Sequence, residues 1–570
     1  MNRQFPIYTT ENECQDCYRC VRYCFTKAIR IVNARAEVIP ELCVSCGECV
    51  RACPAHAKKI RSDFARLNQF LAQGERVFAS VAPSFPGYFP GVSIRRIAGA
   101  LKALGFAGTS ETALGAQAVS SATGEYLAKN GDGVYVSSAC PAAVEYIRKY
   151  LPQWSGNIVP LDSPVLCHCK MLRQEFGNDI RTVFIGPCAA KKNEADEQPS
   201  VLNLAITFPS LEKLMESRGI RFEDVEEEAP VLGEAEEGRL YSLEGGMNDT
   251  LRDPERKELS DVRFMAVSGL ERLASFLPAE GPKSITGSKI FLEALACRNG
   301  CVSGPVMEAG SASAEVVSVT DRMSARRSSL GRPIPVDIHR MYSPQTIEIA
   351  EPEEEEIRKV LLSVGKFSRE DEVNCGACGY DSCREFAKAL LSGKAEAPMC
   401  HTYLRKNFER TSNALIRYIP AGVVLVNELL QIVESNRHFA ELLDEETLEI
   451  FNTLGNLDSI PVSNLLPFWD LFESVLENGG EIEKFNQPLG RKIVNVSVFS
   501  IAPGKTAGAV IQDVTKTELQ REQIAAKAKE VIRKNVLTVQ QVARLFGEHI
   551  AETEILLEEI AGTYFGKREE

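Results

Sequence analysis

The 570-residue sequence predicts a multidomain α/β chain, and three observations predict it. Cysteines gather at tight spacings near the N-terminus and again around residues 375–400, which marks small metal-organised modules. Between them, short β-branched runs alternate with amphipathic segments, the pattern of an α/β domain. Past residue 412 strand signals return and then give way to a helical period. A chain of this length exceeds one hydrophobic core, so three or more domains are expected.

Composition narrows the class. A net charge of −13 argues against a nucleic acid or an anionic membrane as partner. No apolar run approaches the ~18 residues that span a bilayer. The opening MNRQFPIYTTENECQDC has no signal-peptide features, so a cytoplasmic location is expected. Eighteen cysteines without an export signal suggest metal sites rather than disulfides. The six histidines are scattered, which favours all-thiolate sites over mixed zinc sites.

Residues 1–65 form the first module. Cys14, Cys17, Cys20 and Cys24 follow C-x2-C-x2-C-x3-C, and Cys43, Cys46, Cys49 and Cys53 repeat it, with Pro54 next. Two residues between ligands let one loop wrap a cubane corner, and the fourth cysteine of each run ligates the other cluster. The spacing therefore predicts two [4Fe–4S] clusters, on Cys14, Cys17, Cys20, Cys53 and on Cys43, Cys46, Cys49, Cys24. The module resembles bacterial ferredoxins, with Phe25 where that family usually has proline.

Residues 75–345 read as the α/β domain. VFASVAPSFPG, GVYVSSACP, TVFIGPC and VRFMAVSGL are strand-like, and IRRIAGALKALG and PAAVEYIRKYL are amphipathic helices. Cys140 in SSACP, Cys188 in GPCAAKKNE, and Cys297 and Cys301 in EALACRNGC each follow a strand-like run or sit in a small-residue turn. Ligand sites of α/β folds cluster at such places. Four thiolates from three distant loops could thus converge on a further cubane.

These stretches resemble the three signature loops of the [FeFe] hydrogenases, T-S-C-C-P, M-P-C-x-x-K-x-x-E and E-x-M-A-C-x-x-x-C, in the same order. VAPSFPG and LEGGMNDTLR also look like family segments. The resemblance implies that Cys140, Cys188, Cys297 and Cys301 hold the cubane of an H-cluster. Cys301 would bridge it to a diiron subcluster with CO and cyanide ligands. Lys191 would donate hydrogen bonds to a cyanide, which suits an ammonium in a dry pocket, and Glu194 would orient or neutralise it. Ala139 stands where fast family members carry a relay cysteine. Gly186 and Leu295 replace the two motif methionines, soft side chains around the cofactor. This pattern resembles the sensory branch and implies slow H2 turnover. Cys167 and Cys169, flanking His168, read as buried helix thiols or as a substitute relay.

The acidic run 351–356 reads as a linker or a solvated helix start. Within 357–411, Cys375, Cys378, Cys383 and Cys400 follow C-x2-C-x4-C-x16-C, which suits one more [4Fe–4S] cluster, with zinc as the runner-up. Residues 412–517 resemble a PAS domain, through the strand–strand–helix opening with Asn436 and the closing VIQDVTK; His438 reads as structural. Over 518–570, Ile532, Val536, Val539, Ala543, Phe546, Ile550, Thr553, Leu557 and Ile560 alternate steps of four and three, the seam of a coiled coil. A homodimer through the PAS and coiled-coil segments is expected. No kinase box, P-loop or basic recognition helix is visible, so a separate kinase or phosphatase would receive the signal. H2, protons and a redox carrier complete the expected partners.

Overall fold

Both N-terminal cysteine runs fold alike, as a loop turned by left-handed residues and closed by one short helix. Asp16 (φ 53°) and Tyr18 (φ 54°) precede the helix Arg19–Tyr23, and Ser45 (φ 56°) and Gly47 (φ 81°) precede Glu48–Ala52. Strands β1 (Ile7–Thr9), β2 (Ile29–Val32), β3 (Arg35–Val38) and β4 (Lys58–Ile60) frame the loops, with β1 antiparallel to β4 and β2 to β3. The computed structural model describes residues 5–252, 257–282, 287–307, 328–348, 351–515 and 527–535. The chain divides into two compact units, Met1–Glu396 and Ala397–Glu570, and the division falls inside the expected 357–411 module.

Among the described residues, the middle domain holds seven strands: β5 (Val77–Val81), β6 (Gly108–Glu111), β7 (Gly133–Val136), β8 (Arg181–Gly186), β9 (Leu204–Thr207), β10 (Val262–Ser268) and β11 (Lys289–Leu295). They form two parallel sheets, ordered β6-β5-β8-β9 and β10-β11-β7. Parallel strands need crossovers, and helices such as Ile94–Ala103 and Leu270–Phe276 supply them. With helices covering the faces, β5 and β9 are buried at every residue, which explains their predominantly apolar sequences.

The N-terminal module is seated on this domain. Lys149 donates to the carbonyl of Cys43 (2.9 Å) and Tyr150 to that of Leu42 (2.7 Å), both from the helix Pro141–Tyr150. Gly47 has a second reason to be glycine besides its φ: a Cβ there would lie 2.4 Å from Pro305. Across the same seam, Asp63 accepts from Lys192 (2.8 Å) and Arg61 pairs with Asp196 (2.7 Å).

The acidic run 351–356 starts a helix, Glu354–Ser363, with a capping box in which Glu353 and Glu356 satisfy each other's backbone N–H groups. Ile357 and Leu361 of this helix pack on Cys383 and Ala387 of the helix Cys383–Leu391.

In the second unit, strands β12 (Gly422–Asn427), β13 (Ile432–Ser435), β14 (Glu481–Leu489), β15 (Lys492–Ala502) and β16 (Thr506–Asp513) form one antiparallel sheet, ordered β13-β12-β16-β15-β14. Helices within 437–478 fill the long connection from β13 to β14. Buried Asn436 ties this unit together. Its Oδ1 accepts from Val423 and Phe439 N–H (both 2.9 Å), and its Nδ2 donates to the carbonyls of Ile416 (2.9 Å) and Ala421 (2.8 Å). Ile416 belongs to the helix His401–Tyr418. Of the expected heptad seam, only the helical stretch 527–535, which includes Ile532, lies within the described residues; the rest of it lies outside them.

Candidate metal centre

The cavity of the middle domain opens where parallel strands of both sheets end. Ala82 and Pro83 follow β5, Thr112 follows β6, Ala139 and Cys140 follow β7, Pro187 and Cys188 follow β8, and Ala296 and Cys297 follow β11; all line it, together with Cys301. This placement is where an open parallel sheet collects ligands. The space free of atoms, counting the solvent at its open mouth, is ≈ 950 Å³, and it is bordered mainly by apolar side chains.

Local structure sets each sulfur. Cys140 is the N-cap of the helix Pro141–Tyr150, with Pro141 at its first position. The Cys188 sulfur receives the backbone N–H groups of Ala190 and Lys191. Gly300 (φ 93°) turns the chain from Cys297 to Cys301. The four sulfurs lie within electrostatic range of one another, Cys301 and Cys297 each sensing Cys188 and Cys140. Burial and the neighbouring thiols push Cys188 up to about 11 and Cys301 to about 12, and hold Cys297 well above its ordinary value. Four thiols gathered in a dry space gain nothing by themselves. A polycationic cluster reverses that balance by favouring the thiolates, so the donor set fits an iron–sulfur group.

Lys191 lines the cavity and donates to Glu194 (2.6 Å) and to the Ser163 hydroxyl (3.1 Å). It is close enough to Cys188 and Cys301 to favour their thiolate forms. Glu194 is buried behind Lys191 and borders a separate polar cleft with Glu197 and Arg340. Lys192, the neighbour in sequence, is buried at the seam described above. Ala139 and Leu295 line the cavity. Gly186 does not: it stands behind the wall, where a Cβ would lie 2.5 Å from the Phe184 ring and 2.7 Å from Ala82.

The N-terminal cysteines fall into two groups. Cys17 and Cys20 sense Cys14 and Cys53, whereas Cys43, Cys46 and Cys49 sense Cys24. Cys46 also lines the cavity and neighbours Cys297. Cys375, Cys378 and Cys383 lie in the first unit and Cys400 in the second. Among the described residues, no group of three or more His, Cys, Asp or Glu side chains is set to hold a single metal ion.

Cys167, His168 and Cys169 lie fully buried on the helix Pro164–Phe176, outside the cavity wall. His168 bridges two strands, Nδ1 to Ser80 (2.8 Å) and Nε2 to Ser110 (2.9 Å), and Ser80 continues to the cavity-lining Thr112 (2.7 Å). Burial drives this imidazole down to about 3, so it is neutral, and raises both flanking thiols to about 12.

Sequence reasoning gave no role to Glu293, the first residue of the third motif. It is a carboxyl in the middle of a buried run, FLEAL, whose other residues are apolar, and that mismatch was its signal. It lines the cavity and accepts from the backbone N–H of Asn248 (3.1 Å). Burial still pushes it up to about 7. Its folded value lies above the ordinary one, so the folded chain holds an extra proton between about pH 4.5 and 7, and stability falls as pH rises through that window. Glu293→Gln is expected to remove this slope, on the order of 3 kcal/mol, in urea midpoints measured on both sides of the window. A variant that keeps the parent's slope would show that Glu293 is not its source.

Three family models match the chain. Residues 13–57 match a 4Fe-4S dicluster domain, 75–305 the iron only hydrogenase large subunit, C-terminal domain, and 371–401 an Fe-S cluster segment. No curated protein matches. Among solved structures, the chain is similar to an [FeFe]-hydrogenase studied for oxygen inactivation of its H cluster. That match has 18% identity and a TM-score of 0.40, and covers 49% of this chain and 99% of that one. It is also similar to an [FeFe]-hydrogenase variant from Chlamydomonas reinhardtii, with 19% identity, a TM-score of 0.41 and the same two coverages. The matched segments place an iron only hydrogenase large subunit type of domain at 75–305, behind a 4Fe-4S dicluster domain at 13–57.

Proposed function

We propose that the chain is a sensory [FeFe] hydrogenase: it oxidises H2 slowly and reversibly and passes the redox state through its clusters to a signalling partner. The observation that carries this is one cavity. Cys140, Cys188, Cys297 and Cys301 meet there beside Lys191, with Ala139 in the wall and Cys46 of the N-terminal module at its edge. The four cysteines would hold a [4Fe–4S] cubane, and Cys301 would share its sulfur with a diiron subcluster bearing CO and cyanide. That subcluster, when bound, supplies the open iron at which H2 is split heterolytically.

The chain's own residues do the rest. Lys191, fixed by Glu194 and Ser163, presents its ammonium to an anionic ligand in a mainly apolar cavity. Ala139 offers a methyl group where a thiol would move a proton, and this slows exchange with solvent. Glu293 can hold a proton near neutrality in the cavity wall. Electrons leave on the Cys46 side. Residues 412–517 would act as a PAS domain and 518–570 as a coiled coil, joining two copies and addressing a separate kinase or phosphatase.

An infrared spectrum of protein maturated with the diiron unit tests the reading. Bands in the CO and cyanide stretching region are expected, together with measurable but low H2 turnover. Their absence would leave an iron–sulfur electron carrier, and rapid turnover would make the protein a metabolic hydrogenase.

A further inference from the structure

The small cysteine module of the first unit is fastened to the N-terminal one at two places. Arg22 donates to the carbonyl of Ala377 (3.1 Å) and Lys27 to that of Gly379 (2.9 Å), so the residues on both sides of Cys378 are held. Their partners are on or beside the helix that runs between Cys20 and Cys24. Gly379 (φ +89°) lets the two backbones touch, since a Cβ there would lie 3.1 Å from both Arg22 N and Val21 Cβ. At the second place, Ile31 N–H donates to the carbonyl of Lys394 (2.9 Å). The Glu396 carboxylate accepts from Asn33 (2.7 Å) and Ala34 (3.2 Å) in the left-handed turn between β2 and β3.

Of the N-terminal sulfurs, Cys24 is bracketed by the two donors of this docking, Arg22 and Lys27. Tyr380 lies within electrostatic range of both Cys378 and Cys24, and Lys394 within range of Cys24. Cys24 belongs to the group with Cys43, Cys46 and Cys49, and Cys46 edges the hydrogenase-type cavity. One set of four sulfurs therefore faces the cavity through Cys46 and the small module through Cys24. Electron tunnelling falls off steeply with distance, so a centre that adjoins both is the bridge between them.

We infer that the cluster on Cys24, Cys43, Cys46 and Cys49 is a branch point. Electrons from the cavity leave it either for the Cys14, Cys17, Cys20, Cys53 cluster or for the iron–sulfur cluster of the 371–401 segment. The inference rests on the hydrogenase reading only for the source of those electrons. In each step one electron passes from the reduced branch cluster to the oxidised cluster of the small module, and no atom moves. Two such steps clear the two electrons that one H2 releases along with two protons. The exit toward the small module is thus in series with the branch cluster.

The test uses the full chain loaded with its [4Fe–4S] clusters and needs no diiron unit. Stepwise reduction with dithionite is followed by electron paramagnetic resonance. The signal of the small module should be split and fast-relaxing through its reduced neighbour. Cys49→Ser, which takes a ligand from the branch cluster, should abolish the splitting. Gly379→Val, which forces the loop off Val21 and Arg22 without touching a ligand, should shrink it at unchanged iron content. A module signal without splitting in the parent, or one indifferent to Gly379→Val, overturns the inference, as does a module that binds zinc and shows no signal. In maturated protein under H2, the module cluster should be reduced in the parent and stay oxidised in Cys49→Ser, although dithionite still reduces it. If H2 reduces no cluster in the parent, the hydrogenase reading fails, and the dithionite arm still decides the branch.

Discussion

Ala139→Cys is expected to raise H2 turnover by roughly 10²–10³-fold, the scale of one well-placed proton relay. The site is already built for it. Ala139 is in the cavity wall next to Cys140, and the wall around it is mainly apolar. An unperturbed thiol has a pKa of about 8.5; burial in this cavity raises thiols, as at Cys188, but a thiol still takes up and releases a proton, which a methyl group cannot do. The gain should appear in kcat and carry a solvent isotope effect, with the CO and cyanide bands of the parent retained. Equal turnover in parent and variant, both with intact bands, would show that proton delivery does not set the rate. Glu293→Gln in the Ala139→Cys background then asks whether the carboxyl serves the same route.

Asp63→Ala is expected to cost roughly 3–5 kcal/mol, the penalty for stranding a buried charge. Lys192 is almost fully buried; it donates to Asp63 (2.8 Å) and to the Ala205 carbonyl (2.5 Å). Burial lowers its affinity for a proton, and Asp63 is the largest opposing influence. Removing Asp63 takes away the carboxylate that bonds the Lys192 ammonium and loosens Arg61, which also bonds Asp63 (3.3 Å). Pairing the change with Lys192→Met should recover much of the loss, because a buried ion pair replaced by apolar groups is close to neutral. Urea midpoints of the three variants measure this. A loss below about 1 kcal/mol for Asp63→Ala would mean that water reaches the pair.

Local chemistry was legible in the sequence, and docking was not. Cysteine spacing separates the N-terminal sulfurs into two interleaved groups because each loop is short and its geometry is fixed by adjacent residues. The strand-end positions of Cys140, Cys188 and Cys297 follow from the alternation of β-branched runs and helices. Cys46 in the cavity wall had no such signal, since its position depends on Gly47 meeting Pro305 and on Lys149 reaching the Cys43 carbonyl, a hundred residues away in sequence. The burial of Lys192 had no signal in the sequence either: successive residues on a helix face different directions, and Lys192 turns to the seam with Asp63. Gly186 was assigned to the cavity by its motif position, and the Phe184 ring and Ala82 stand between. The acidic run 351–356 reads from sequence as a linker or a solvated helix start, and the reciprocal capping of Glu353 and Glu356 decides for the helix start.

The four bonds of Asn436 have a mechanical consequence. One amide bolts the helix His401–Tyr418, the first strand of the sheet and the helix Arg437–Leu442 into a single lever, so the sheet cannot tilt without swinging the helix end with it. Asn436→Ala would leave that joint slack, with the Ile416 and Ala421 carbonyls stripped of their side-chain donor.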